Sequence, residues 1–249
     1  MKQYYLIIFL ISLFGCKSEY RKICDKFPDG TTKTEYIYPD KDDTLNYIVN
    51  RYFQSGKIMF SGTVENGMLV GKKMFYFENG KIEAIEKITS PCKDQTPCQN
   101  STVQFFHPNG KLQQSYVIRN GLMEGIVKGY NRHGILIREV IYIKGVKNGE
   151  SIALYPNGQV RSKCFYVNDT IIGNIYFFKS NGDTAKYFYF NKGVKSLPFK
   201  KWLDNDTVLT GDYSNIEHSL VVWKWYDKSN NEIKHKIEKL STNGFISFE

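Results

Sequence analysis

The chain has 249 residues, 41% of them hydrophobic and 15% aromatic, with 34 Lys+Arg against 25 Asp+Glu for a net charge of +9. That excess is moderate for the length and gives no single basic block of the kind that tracks a nucleic-acid backbone. The longest apolar run, 11 residues from Tyr4 to Phe14, falls short of the roughly 20 that a membrane-spanning helix needs.

The same run fits the core of a signal peptide, preceded by Lys2 and ending Leu13-Phe14-Gly15-Cys16. Leu13, Gly15 and Cys16 resemble the bacterial lipobox, in which a small residue precedes the Cys that becomes the lipidated N-terminus. Phe14 is bulkier than that pattern prefers. The resemblance implies a lipoprotein signal peptide over 1–15 and lipidation at Cys16, with more acyl chains than the two signals stable anchoring requires. An ordinary signal peptide with a chance Cys is the alternative. Lys17, Ser18 and Glu19 follow with no Asp, which points to the outer membrane of a cell envelope and leaves the exposed face open. An exported chain is not expected to meet nucleic acid. Residues 16–43 are rich in charge and read as a tether, or a tether plus a capping strand.

From residue 44 the chain repeats. Gly56, Gly80, Gly110, Gly134, Gly158 and Gly182 form a ladder with four steps of 24 residues and one of 30. Such self-similarity marks a repeat architecture. Asn79, Asn109, Asn157 and Asn181 stand just before their glycines, and Asn-Gly between apolar runs predicts a type I′ hairpin turn with φ > 0 at both residues. An aromatic or Leu lies four residues before each glycine, from Tyr52 to Phe178. Apolar residues follow at two and at eight after it, as in Ile58 and Val64; Thr184 alone departs. These even offsets predict one buried stripe on strands, which would also absorb most of the 17 Phe and 18 Tyr. A second, Gly-rich turn closes each unit, as at Gly67 and Gly71 or Gly121 and Gly125. Connections this short imply an antiparallel meander of some sixteen strands, whose hairpins must stack to be stable. Asp29-Gly30, Asn205-Asp206 and Asn230-Asn231 extend the ladder as degenerate turns.

The segments Tyr76-Phe77-Glu78-Asn79-Gly80-Lys81-Ile82, Phe106-His107-Pro108-Asn109-Gly110-Lys111-Leu112 and Tyr155-Pro156-Asn157-Gly158-Gln159-Val160 resemble the MORN-repeat variant of bacteria. Asn66–Gly71 and Asn120–Gly125 match its second turn, although the pattern decays at Gly193 and Leu197. The resemblance covers about 44–195 and implies an all-β, elongated meander of stacked hairpins of about 24 residues. It implies repeats over 44–197, with degenerate repeats or a C-terminal cap over 198–249. It further implies a non-catalytic contact module, and bacterial members are often labelled antitoxins.

Four cysteines remain besides Cys16. Cys92 and Cys98 lie in the Ser90–Asn100 segment that accounts for the 30-residue step, each preceded by Pro. A disulfide within that loop is the simplest account, and a CxxxxxC metal pair with Asp94 or His107 is the alternative. Cys164 falls in the apolar register; a link to Cys24 would need distant units to touch. The lysines after turns, Lys57, Lys81 and Lys111, read as guards of an exposed edge or as attraction to anionic surfaces. His107 and His133 sit in turns, and His218 and His235 are 17 residues apart, so none has metal-pair spacing. Asp204, Asp206 and Asp212 read as turn residues. Trp202, Trp223 and Trp225 suit the core of a C-terminal cap or a binding patch. No nucleophile, paired-carboxylate or P-loop pattern occurs. The expectation is therefore a lipid-anchored, non-catalytic scaffold of the envelope with a protein partner and no cofactor. An antitoxin role and a glycan- or lipid-surface module are the alternatives.

Overall fold

The computed structural model describes residues 20–94, 97–192, 194–203, 207–215 and 220–239. Cys16 and the apolar run before it lie outside the described residues, as do Gly193, Asp204, Asp206 and His218. The described residues form nine hairpins. The first five are β1 (Tyr20–Lys26) with β2 (Thr32–Tyr38), β3 (Tyr47–Tyr52) with β4 (Ile58–Glu65), β5 (Met68–Tyr76) with β6 (Ile82–Ile88), β7 (Ser101–Phe106) with β8 (Leu112–Arg119), and β9 (Leu122–Tyr130) with β10 (Leu136–Ile143). The rest are β11 (Val146–Leu154) with β12 (Val160–Val167), β13 (Thr170–Phe178) with β14 (Thr184–Asn191), β15 (Val194–Trp202) with β16 (Val208–Asn215), and β17 (Leu220–Tyr226) with β18 (Glu232–Lys239). Each strand pairs antiparallel with the next in sequence, so the sheet is one open meander. β1 and β2 carry the sheet into the segment read as a tether, and β15–β18 carry it through the segment read as a possible cap.

Two turns alternate, and the type I′ conformation expected at the ladder turn is found at the other one. At each ladder glycine the connection has five residues. In the unit of Gly110, the His107 amide bonds the Lys111 carbonyl at 2.8 Å and the Gly110 amide bonds the His107 carbonyl at 2.7 Å. Gly110 has φ +86°, whereas Asn109 is absent from the residues with positive φ. This is a type I turn followed by a glycine bulge, not type I′. The ladder Asn recurs for its side chain instead: Asn109 Oδ1 accepts from the Lys111 amide at 3.1 Å while Nδ2 donates to the Arg132 carbonyl of the next hairpin at 2.6 Å. Asn157 does the same with Gln159 and with Ser180, at 3.1 and 3.2 Å. The type I′ conformation belongs to the second turn, where Asn66 and Gly67 have φ 52° and 74° and Asn120 and Gly121 have 50° and 75°. Gly71 and Gly125 are not in that turn. They sit inside β5 and β9, where the pairing register slips, and form bulges with φ 65° and 81°.

The turns also bond to one another along the stack. The amides of Gly67, Gly121, Gly145 and Asp169 donate to the carbonyls of Leu45, Gln99, Met123 and Lys147, each 22 residues earlier.

Because the ladder turn contains a bulge, the expected single stripe is split between two faces. Arg51 lies over the ring of Phe60, its cross-strand partner, at 4.6 Å. Tyr52 is its neighbour in β3 and therefore points to the other face, where its hydroxyl donates to Glu35 Oε2 at 2.7 Å. Of the positions eight after the glycine, Val64 and Ile88 are buried, whereas Ile118, Tyr142, Tyr166 and Phe190 are half-buried. The core gathers on the Phe60 face of β3–β6: Val49, Phe60, Val64, Leu69 and Ile88 pack with Cys92 and Cys98, and Tyr36, Tyr47 and Phe75 pack against them. From β11 to β14 no residue is fully buried, since the sheet there is a single layer.

Candidate functional site: the disulfide loop and the face it covers

What covers the core is the connection between β6 and β7. Cys92 and Cys98 are joined in a disulfide with Cα atoms 5.1 Å apart, and both are buried against the sheet. Leu69 and Cys92 exchange backbone hydrogen bonds of 2.6 and 3.2 Å, so the loop adds a one-residue bridge near the start of β5. Arg51 Nη2 and Asp94 Oδ2 make an ion pair at 2.5 Å, which ties the loop to β3. At its far end the Gln99 carbonyl accepts from Gly121 at 2.8 Å and Asn100 Oδ1 accepts from Asn120 at 3.2 Å. The loop therefore crosses the sheet from β3 and β5 to the β8–β9 turn. With the two sulfurs bonded to each other, the metal-pair alternative has no thiolates to use.

Between the loop and the sheet lies a cavity of about 440 Å³. Its floor is apolar, with Phe75, Ala84, Val103, Phe105, Tyr116 and Ile118, and Pro97 and Cys98 overhang it. The chain pattern puts these side chains together because cross-strand pairs share a face: Phe75 opposes Ala84, Ala84 opposes Phe105, and Val103 opposes Tyr116. Two carboxylates border the floor, Glu83 and Glu86. Glu86 Oε2 accepts from Lys73 Nζ at 2.9 Å, and this pair is buried enough to need its partner. Burial pushes the Tyr116 phenol above its usual range, and the nearby Glu86 charge adds to the shift. Ser101, at the loop end of β7, is 1% exposed, and its hydroxyl has no partner among the described residues.

The other sequence-derived candidates stay apart from this place. Cys24 is an exposed free thiol in β1, and Cys164 is a half-buried free thiol in β12 whose pKa burial raises. His107 Nε2 donates to the Tyr130 carbonyl at 3.0 Å, while His133 is an exposed turn residue. Trp223 is buried in β17, over Gly211, and Trp202 and Trp225 are half-buried in β15 and β17. Asp212 falls in β16 and His235 in β18. The ladder glycines all have positive φ, from 79° to 96°, so their part is conformational. Sequence reading missed Arg51, Glu83, Glu86 and Tyr116 and named Asp94 only as a metal partner, whereas it pairs with Arg51. The 30-residue step and its two cysteines marked the loop, but nothing in the pattern said which face it would cover.

The two ladder units with the fullest contacts to the next hairpin are those of Gly110 and Gly158. In both, the first turn residue and the ladder Asn each bond a carbonyl of the following unit: His107 with Tyr130, Asn109 with Arg132, Tyr155 with Phe178, and Asn157 with Ser180. The MORN repeat variant family matches at residues 99–120 and 147–168. These stretches hold the same two units, 48 residues apart, which is two ladder steps. No curated protein matches the chain. MORN repeats of this kind point to a repeat-based binding or scaffold module, and the family is generally non-catalytic.

Proposed function

We propose that the protein is a lipid-anchored scaffold of the bacterial cell envelope, held at the outer membrane through Cys16, which uses its open sheet to bind a protein partner without catalysis. The observation that carries this reading is the single-layer sheet from β11 to β14, whose two faces are half-exposed and rich in aromatics. A sheet with no second layer leaves ring surface available, and Tyr and Trp are the side chains most used at the centre of protein interfaces. The lipobox-like Leu13-Phe14-Gly15-Cys16 supports the anchor. The test is crosslinking of the tagged protein in intact native cells, with a Cys16→Ser variant alongside. One dominant captured protein, lost or relocated in Cys16→Ser, supports the reading, and a small toxic protein as that partner would make the role antitoxin-like. Unchanged membrane association of Cys16→Ser would remove the anchor from it.

A second reading draws on one row of the same surface. Lys163, Tyr176, Tyr187 and Lys200 oppose one another in successive strands from β12 to β15. Lys163 lies 5.8 Å from the Tyr176 ring centroid and Lys200 lies 4.9 Å from that of Trp202. Ammonium groups between rings suit an anionic glycan or lipid head group. Envelope glycan or lipid in the crosslinked material, with no protein, would favour it.

A further inference from the structure

We propose that the cavity beneath the disulfide loop binds a small organic cation, an apolar body of about one ring in size with a single ammonium head. The inference goes beyond the scaffold reading and does not depend on the lipid anchor or on a protein partner. Its size is right: about 440 Å³ lies inside the range of roughly 300–1,000 Å³ typical of small-molecule sites. Its walls are ring faces and aliphatic groups, with the Phe105 and Tyr116 centroids 6.2 Å apart and their planes 28° from parallel. Such ring faces carry negative quadrupole density and attract a cation.

Charge decides what kind of apolar group enters. The chain as a whole is basic, at +9, yet the residues lining the cavity include two carboxylates and no Lys, Arg or His. Lys73 stands beside the cavity but is matched one to one by Glu86 Oε2. Among the residues that line the cavity, that leaves Glu86 Oε1 and the Glu83 carboxylate for a ligand, with no lining cation set against them. An anion would meet those carboxylates with nothing to answer it. A bare metal ion fits poorly too, because two carboxylates against aromatic rings supply too few oxygen ligands, and no group of three or more His, Cys, Asp or Glu that could hold one occurs among the described residues. An ammonium can bond a carboxylate while its methylenes lie on the rings. Tyr116, with its hydroxyl, is a further polar residue of the lining. Pro97 and Cys98 of the loop line the cavity, and its volume of about 440 Å³ suits a small molecule.

The test titrates the full-length, oxidised protein by calorimetry with three probes of one shape: phenethylammonium, 2-phenylethanol and phenylacetate. The cation is expected to bind about tenfold more tightly than the neutral alcohol, with the anion weakest. Glu83 is exposed, so Glu83→Gln leaves the fold intact, as circular dichroism would check. It should weaken phenethylammonium several-fold and leave 2-phenylethanol unchanged. Equal affinity for all three probes, no heat with the cation at millimolar concentration, or a cation affinity indifferent to Glu83→Gln would each overturn the proposal.

Discussion

Gly62 lies in a crowded part of the core and has nothing to do with a turn. A Cβ built there would stand 2.9 Å from Leu69 Cδ2 and 3.1 Å from Phe60 Cζ, and those residues are only 1% and 3% exposed. Neither can retreat without opening the core beneath the disulfide loop. Gly62→Ala should therefore cost about 1–3 kcal/mol in overpacking. Against this, alanine regains about 0.4–1 kcal/mol by stiffening the unfolded chain. Leu69→Ala alone should cost about 2–5 kcal/mol, because it leaves a cavity in the same place. The double variant is the informative one, since truncating Leu69 removes the atom that the new Cβ strikes. Its destabilisation should fall short of the sum of the single effects by at least about 1 kcal/mol. A stack of hairpins can open unit by unit, so the measurement is denaturant-dependent amide hydrogen exchange at Val64 and Leu69 rather than a global melt. Additivity within about 0.5 kcal/mol would show that Gly62 and Leu69 do not share one packed site, and the assignment of this face as the core would fail.

The turns give a paired prediction. Gly110→Val should destabilise its hairpin by about 1–3 kcal/mol through strain at φ +86°, although no atom lies within 4 Å of the added Cβ. Asn109→Ala should cost about 0.5–1.5 kcal/mol per hydrogen bond lost, and Asn109→Gly should not rescue it, since Asn109 does not need a left-handed backbone; thermal melts of the three variants decide this. Asp29 accepts from the Thr31 hydroxyl and from Gln54 Nε2, with the Thr31 amide adding a third bond, and its pKa is lowered to about 2. Because the folded value is depressed, its contribution is present above about pH 4 and is lost as the pH falls through about 2; Thr31→Val should return the value toward 3.8, as a carboxyl NMR titration would show. In a Cys16→Ser background at neutral pH, a maleimide should label Cys24 quickly and Cys164 slowly, because Cys164 is half-buried with a raised pKa; equal rates would contradict the placement of β12.

Much of the fold was legible because turns and strands obey local rules. The glycine ladder located every ladder turn, and the degenerate Asp29-Gly30 and Asn230-Asn231 turns close hairpins as well, with Asn230 taking φ 64° where the other units have glycine. The faces were not legible. The glycine bulge adds one residue to the turn, and with a period of two that residue sends Tyr52 and Phe60 to opposite sides. No count of apolar positions can detect it without knowing the turn type. The cavity was hidden for a different reason. Its carboxylates belong to β6, its ring pair to β7 and β8 and its overhang to the loop, so they meet only through register and loop placement. Single residues such as Glu83 carry no sign of that meeting.

The insertion itself shows how such a sheet can accept a site without losing its period. Four of the second turns are held by an amide that donates to a carbonyl 22 residues earlier, and in two of them that carbonyl lies near the start of a strand, as Met123 and Lys147 do. The two long connections end in a substitute. Before Asn66-Gly67 it is Leu45-Asn46, whose carbonyl and side chain take both turn amides; before Asn120-Gly121 it is Gln99-Asn100, bonded in the same way. The backbone thus returns to the repeat at a fixed docking pair, whatever lies ahead of it. Six extra residues can enter between Ile88 and Gln99 because the next turn reads only the last two. The constraint on the rest of the loop comes from the face it covers, through Cys92 on Leu69 and Asp94 on Arg51. A stack built this way can vary its loops one at a time, and the one it has enlarged most lines a cavity on the face it covers.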